Sequence, residues 1–193
     1  GMEPVLRKFK GKEIIVKEYP IPIQMTSKPK PYAKPIWDAF VVDYQAVLED
    51  AKIKTLGIDT GTALYEIARV AYSEEKGRSI VPYEYAEVYA RLTGLILKTR
   101  HSGKNLVITH WMRDEYVDDK KTGKSEIDGY RRVVDYVDVS LGLRREKRGG
   151  KNVIATTITD TKYETESLSL TGRTIDNCTY LDLIALLLEG YDE

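Results

Sequence analysis

The chain has 193 residues, and its 30 basic and 30 acidic side chains cancel to a formal net charge of zero. That length suits one domain burying roughly 70% of its unfolded surface, and the balance gives no general case for a nucleic-acid partner. The single cysteine, Cys178, excludes an internal disulfide and a cysteine-rich zinc site and fits a reducing, cytoplasmic setting. The most apolar run, Leu183 to Leu188, is far shorter than the ~20 residues that cross a bilayer, so no membrane partner is expected.

Gly1 ahead of Met2 reads as a cleavage scar. Residues 1–35 carry eight Lys or Arg against three Glu and are rich in proline. They read as an extended basic arm, with a short strand at Glu13 to Val16. The remaining residues, 36–193, read as one core. Trp37, Phe40, Val41, Tyr44 and Leu48 recur at helical spacing and predict a helix from Pro35 to about Asp50. Lys54 to Ile58 is a short apolar strand that ends on Asp59. Leu64, Ile67, Ala68 and Ala71 predict the next helix, stopping near Gly77. Pro82 opens a third, with Tyr85, Val88, Leu92, Leu95 and Ile96 inward. Asn105 to Thr109 is a second buried strand, ending at His110 and Trp111. Two helices between two apolar strands imply a parallel crossover.

The pattern then changes. Glu115 to Asp118 and Ser125 to Asp128 flank Lys120-Lys121-Thr122-Gly123, which reads as a hairpin. Val133 to Leu143 and Asn152 to Thr159 flank Arg148-Gly149-Gly150-Lys151, whose glycines suit a tight hairpin turn. Thr179, with Asp182 three residues on, caps a last helix that buries Leu183 to Leu188.

Asp59 is the first candidate site residue. A carboxylate at the C-terminal tip of a parallel strand sits where open α/β sheets bind ligands. It can hold the water shell of a nucleotide-bound Mg²⁺, with Thr60 beside it at the cofactor, or cap the helix that follows, a job Thr60 also does. His110 ends the second strand, where a polar group can sense a γ-phosphate, and Arg113 is close in sequence. The run Arg144-Arg145-Glu146-Lys147-Arg148-Gly149-Gly150-Lys151 places five cations against one acid at a hairpin tip. It suits a nucleic-acid backbone or a charged, soluble sheet edge. Asp59, Glu66, Asp114, Glu115, Asp118 and Asp119 supply enough acids for a two-metal nuclease or phosphotransferase.

Residues 36–165 resemble the later half of a RecA-like P-loop ATPase, of the kind phages encode beside single-strand-annealing and recombination proteins. The carriers are Trp37 and Phe40, Lys54 to Asp59, the Tyr65-Glu66 helix, Asn105 to Trp111, and the Val133 to Thr159 strands. The resemblance implies an α/β fold: a RecA-like three-layer core with parallel strands followed by antiparallel hairpin strands. It implies ATP and Mg²⁺ at Asp59, single-stranded DNA as a partner, and a basic residue, Lys162 or Arg173, that reaches a neighbouring subunit's nucleotide in a homo-oligomer. Leu56 to Thr62 also resembles the first phosphate motif of the actin, heat-shock chaperone and sugar-kinase superfamily. There the motif opens a β-hairpin, whereas here a helical period follows.

One part of the family pattern is missing. A phosphate loop needs G-x-x-x-x-G-K-[ST], and no stretch of the chain matches. Gly11-Lys12 is followed by Glu13, and Gly123-Lys124-Ser125 has Asp118 where the first glycine belongs. Three explanations stay open: a gene fragment, a loop on a partner subunit, or a degenerate paralogue. A non-catalytic module that binds DNA or a partner on this scaffold is the alternative function.

Overall fold

The computed structural model describes residues 13–21, 31–165 and 168–188. The fold is mixed α/β, with one parallel strand pair and separate antiparallel strands. Much of the arm lies outside the described residues. Glu13 to Val16, expected as a strand, pairs with no strand among the described residues. The arm is pinned further on. Lys17 forms an ion pair with Asp43, the Tyr19 hydroxyl donates to Asp43 Oδ2 at 2.7 Å, and the Tyr19 ring meets Phe40 edge-on.

Helix α1 (Ala33–Glu49) begins two residues before the expected start at Pro35 and buries Trp37 and Tyr44. Its first turn is closed from another helix. The Glu74 carboxylate accepts the backbone N–H groups of Tyr32, Ala33 and Lys34 at 2.8–3.2 Å, which would otherwise lack partners. Strand β1 (Thr55–Ile58) leads into α2 (Gly61–Lys76). Thr60 caps α2, its hydroxyl accepting from the Ala63 amide at 3.1 Å, and Gly77 ends it in the left-handed region at φ 65°. Ala68 and Ala71 are fully buried in the first core, and α1 packs against α2.

Pro82–Glu84 forms a 3-10 turn rather than the first α-turn, and α3 (Tyr85–His101) follows. The expected inward residues of α3 are buried, Val88 completely, except Tyr85, which is half-buried. Strand β2 (Asn105–Ile108) pairs parallel with β1, Leu56 opposite Leu106 and Ile58 opposite Ile108. The crossover through α2 and α3 is as the spacing predicts. Leu56, Ile58, Leu106 and Ile108 pack on the helical core. Thr55, Gly57, Asn105 and Val107, on the opposite face, are exposed. The described residues therefore put a helical layer on one side of the pair only.

The hairpin of β3 (Met112–Val117) and β4 (Lys120–Ile127) turns at Asp118-Asp119, not at Lys120 to Gly123. Both aspartates have positive φ, 49° and 59°, which Asp tolerates better than most residues. The register shifts between Asp114 and Tyr116, opposite the stretch that holds Gly123 at φ 81°. Val133 to Asp135, expected as the start of a strand, belong to a 3-10 helix (Arg131–Asp135) because Tyr130 and Val133 turn into the first core.

Strands β5 (Val139–Arg148), β6 (Lys151–Thr161) and β7 (Thr174–Asp176) form an antiparallel sheet in that order. The Gly149-Gly150 turn falls where expected, with φ of 57° and 79°. A second, smaller core forms here from Ile158, Leu168, Leu170 and Leu187, the last from α4 (Tyr180–Leu188). Thr179 and Asp182 cap α4 reciprocally, as predicted. Among the described residues, no helix is long and apolar enough to cross a membrane.

Candidate functional site

Asp59 follows the last residue of β1, beside the end of β2. Three hydrogen bonds lock these ends together. The Thr109 amide donates to the Ile58 carbonyl at 3.0 Å, the Gly61 amide donates to the Thr109 carbonyl at 2.8 Å, and the Thr109 hydroxyl donates to Asp59 Oδ1 at 2.5 Å. The Asp59–Thr60 peptide is cis. Asp59 is exposed, so a carboxylate held by one hydroxyl faces solvent at the C-terminal edge of a parallel pair. One carboxylate fits Mg²⁺, which keeps several waters and takes substrate phosphates as further ligands. Among the described residues, no group of three or more His, Cys, Asp or Glu side chains converges to hold an ion by itself.

Sequence reasoning missed Thr109 and Thr62. Thr62 is buried, donates to the Asp128 carbonyl at 2.8 Å and accepts the Trp111 amide at 3.1 Å. It joins the start of α2 to both ends of the segment containing the β3–β4 hairpin. The apolar-strand-plus-threonine pattern at Asn105 to Thr109 was the available signal for Thr109. Trp111 stays 62% exposed just past this junction.

His110 is turned inward. Its ring lies so close to Gly61 that a Cβ there would come within 2.5 Å of Cε1. It lines a narrow apolar cavity with Ile58, Leu64, Leu95, Ile108 and Tyr130. Both ring nitrogens are buried and find no hydrogen-bond partner among the described residues. Burial lowers the imidazole's pKa and favours the neutral ring. This placement corrects the expectation of a phosphate sensor: the nitrogens face the core, because Gly61 leaves room for the ring there.

Arg113 is engaged on the hairpin, its Nε donating to Glu126 at 2.9 Å and its Nη1 lying 3.5 Å from Asp128. Lys162 lies 3.6 Å from Asp138 at the end of the second sheet. Arg173 lies in the turn before β7, its carbonyl accepting the Ile158 amide at 3.0 Å. The acids weighed for a two-metal site are dispersed. Glu66 pairs with Arg69 and Asp114 with Lys121, Glu115 accepts from Thr122, and Asp118 and Asp119 form the hairpin turn.

The cations of the basic run flank the Gly149-Gly150 turn rather than forming it. Arg144, Arg145, Lys147 and Arg148 lie in β5, and Lys151 opens β6. Strand geometry therefore sends alternate cations to opposite faces. Arg148 is neutralised where it stands, donating to Glu146 at 2.8 Å and Asp176 at 2.9 Å. The chain matches no protein-family model, no curated protein and no solved structure.

Proposed function

We propose that the chain supplies the acidic edge of a RecA-like ATP site in a cytoplasmic DNA recombination or repair system of phage type, and that another polypeptide supplies the phosphate loop. The supporting observation is Asp59: an exposed carboxylate, oriented by Thr109, at the tip of a parallel strand and ahead of a helix N-terminus. Mg²⁺–ATP, when bound, would supply a cation that offsets charge developing on the phosphates. Asp59 would accept hydrogen bonds from that metal's waters, and Thr109 would fix the carboxylate. Thr60 is occupied in capping α2, so its part is to set the loop. The bare face of β1 and β2 leaves room for the second helical layer of a three-layer core. Lys162 and Arg173, remote from Asp59 in sequence, keep only the proposed role toward a neighbouring subunit.

The test is thermal melting with Mg²⁺–ATP. A ligand present at ten times its Kd adds about 1.4 kcal/mol, or roughly 3–6 °C for a chain of this size. Asp59→Asn removes that gain. Wild-type protein whose melting is unmoved by millimolar Mg²⁺–ATP would overturn the proposal that this edge contributes to nucleotide binding and favour the non-catalytic module.

A further inference from the structure

We infer that one face of the β5–β6 hairpin is a seat for single-stranded nucleic acid, and that Arg145 and Lys147 hold its phosphates. This deepens the DNA part of the proposed function and does not depend on the nucleotide part.

Residues directly opposite in an antiparallel ladder share a face. The register sets Arg144 opposite Ala155, which is opposite Asp176, and sets Glu146 opposite Val153 and Arg148 opposite Lys151. One face thus holds Arg144, Arg148 and Lys151 together with Glu146 and Asp176. Arg148 takes both acids, so this face carries three cations against two acids, and Arg144 and Lys151 are in no ion pair among the described residues. The same register sets Leu143 opposite Thr156, Arg145 opposite Ile154, and Lys147 opposite Asn152. This second face has two cations and no acid on its outer half. Neither side chain makes an ion pair or hydrogen bond among the described residues. Leu143 lies beside them, 69% exposed.

The inner end of that second face is covered, because Ile158 packs into the second core. Its outer half projects past the core as an open, basic and partly apolar strip. Arg145 and Lys147 are two residues apart, so they stand about 6.8 Å apart along the strand. A polynucleotide offers regularly stepped phosphates to such a pair and flat apolar bases to Leu143 and Ile154. A duplex turns its bases inward and leaves the leucine nothing apolar to touch. An acidic peptide brings carboxylates without a flat ring beside each one.

The experiment titrates full-length protein, without ATP, into fluorescently labelled oligo-dT longer than the ~4–16 nucleotides a single module covers. Anisotropy is followed over a salt series. Arg145→Glu with Lys147→Glu should weaken binding about tenfold or more and reduce the salt slope by about 1.4, at ~0.7 per phosphate lost. Arg144→Glu with Lys151→Glu, the same charge change on the other face, should cost less than about threefold. The milder pair Arg145→Gln with Lys147→Gln, checked by circular dichroism, separates a lost contact from a lost fold. Equal losses from the two faces, no binding by wild type at low salt, or competition by poly-glutamate as strong as by oligo-dT would each overturn the inference. Because ATP is absent, a failed nucleotide reading leaves the result intact.

Discussion

The two cores divide the work between hiding and presenting. Among the described residues, the first buries fifteen side chains from three helices, a parallel strand and the 3-10 segment, whereas the second buries four. The larger core positions a single exposed carboxylate through threonines and backbone amides. The smaller core holds up a long hairpin whose outer half covers nothing. A site that needs fixed geometry therefore sits on the deeply packed region, and a surface that needs only spaced charge sits on the lightly packed one. Position in the first region is set by steric fit, and in the second by ladder register.

The largest test is Leu170→Ala. Emptying a fully buried leucine site in the small core costs about 2–5 kcal/mol. Both tryptophans, Trp37 and Trp111, lie outside that core. Circular dichroism should therefore show early loss of structure while tryptophan fluorescence melts close to the wild-type temperature. Coincident transitions would make the two regions one cooperative unit and erase the contrast.

Gly61→Ala probes steric fit in the first region. The added Cβ meets His110 and Ile108 at 2.5–2.7 Å, and such overpacking costs about 1–3 kcal/mol. That lowers the melting temperature by roughly 2–12 °C. Gly149→Ala has open space around it at φ 57°, so it suffers only backbone strain of about 1–2 kcal/mol. Adding His110→Ala should restore part of the Gly61→Ala loss and none of the Gly149→Ala loss. Equal rescue in both backgrounds would show that the crowding at Gly61 is not the cause.

The smallest effect is on pH. Arg78, with help from the Val81 amide, holds the Glu84 carboxyl down to about 2. A depressed carboxyl stabilises fully above its unfolded value near 4.5, and that contribution fades as pH falls toward about 2. Glu84→Gln should flatten the fall in melting temperature over that window. The neutral His110 acts at higher pH, since burial lowers its pKa from 6.5. Stability should start to decline as pH drops below about 6.5, and His110→Phe should delay that decline. A decline identical in wild type and both variants would deny the first region its titrating groups.

Local rules revealed most of the elements. Helical spacing gave α1, α2 and α3, Gly77 marked a helix end, the Gly149-Gly150 pair marked a turn, and Thr179 marked a cap. The Asp118-Asp119 turn was missed because two aspartates reach positive φ without a glycine to announce it. Val133 to Asp135 read as strand, but Tyr130 and Val133 answer to a core made elsewhere in the chain. Asp59 was legible as a strand-tip acid. The Thr109 hydroxyl that orients it and the inward turn of His110 were not, since both depend on contacts about 50 residues away in sequence. The cations of Arg144 to Lys151 were visible, but their division between faces emerged only with the register.

The Glu74 clamp has a mechanical consequence. Helix α2 is a rod about 24 Å long at 1.5 Å per residue. One end carries the clamp on α1, and the other begins two residues after Asp59. The arm fastens to α1 through Lys17 and Tyr19. A pull on the arm is thus transmitted along a stiff lever to the loop that aims the carboxylate.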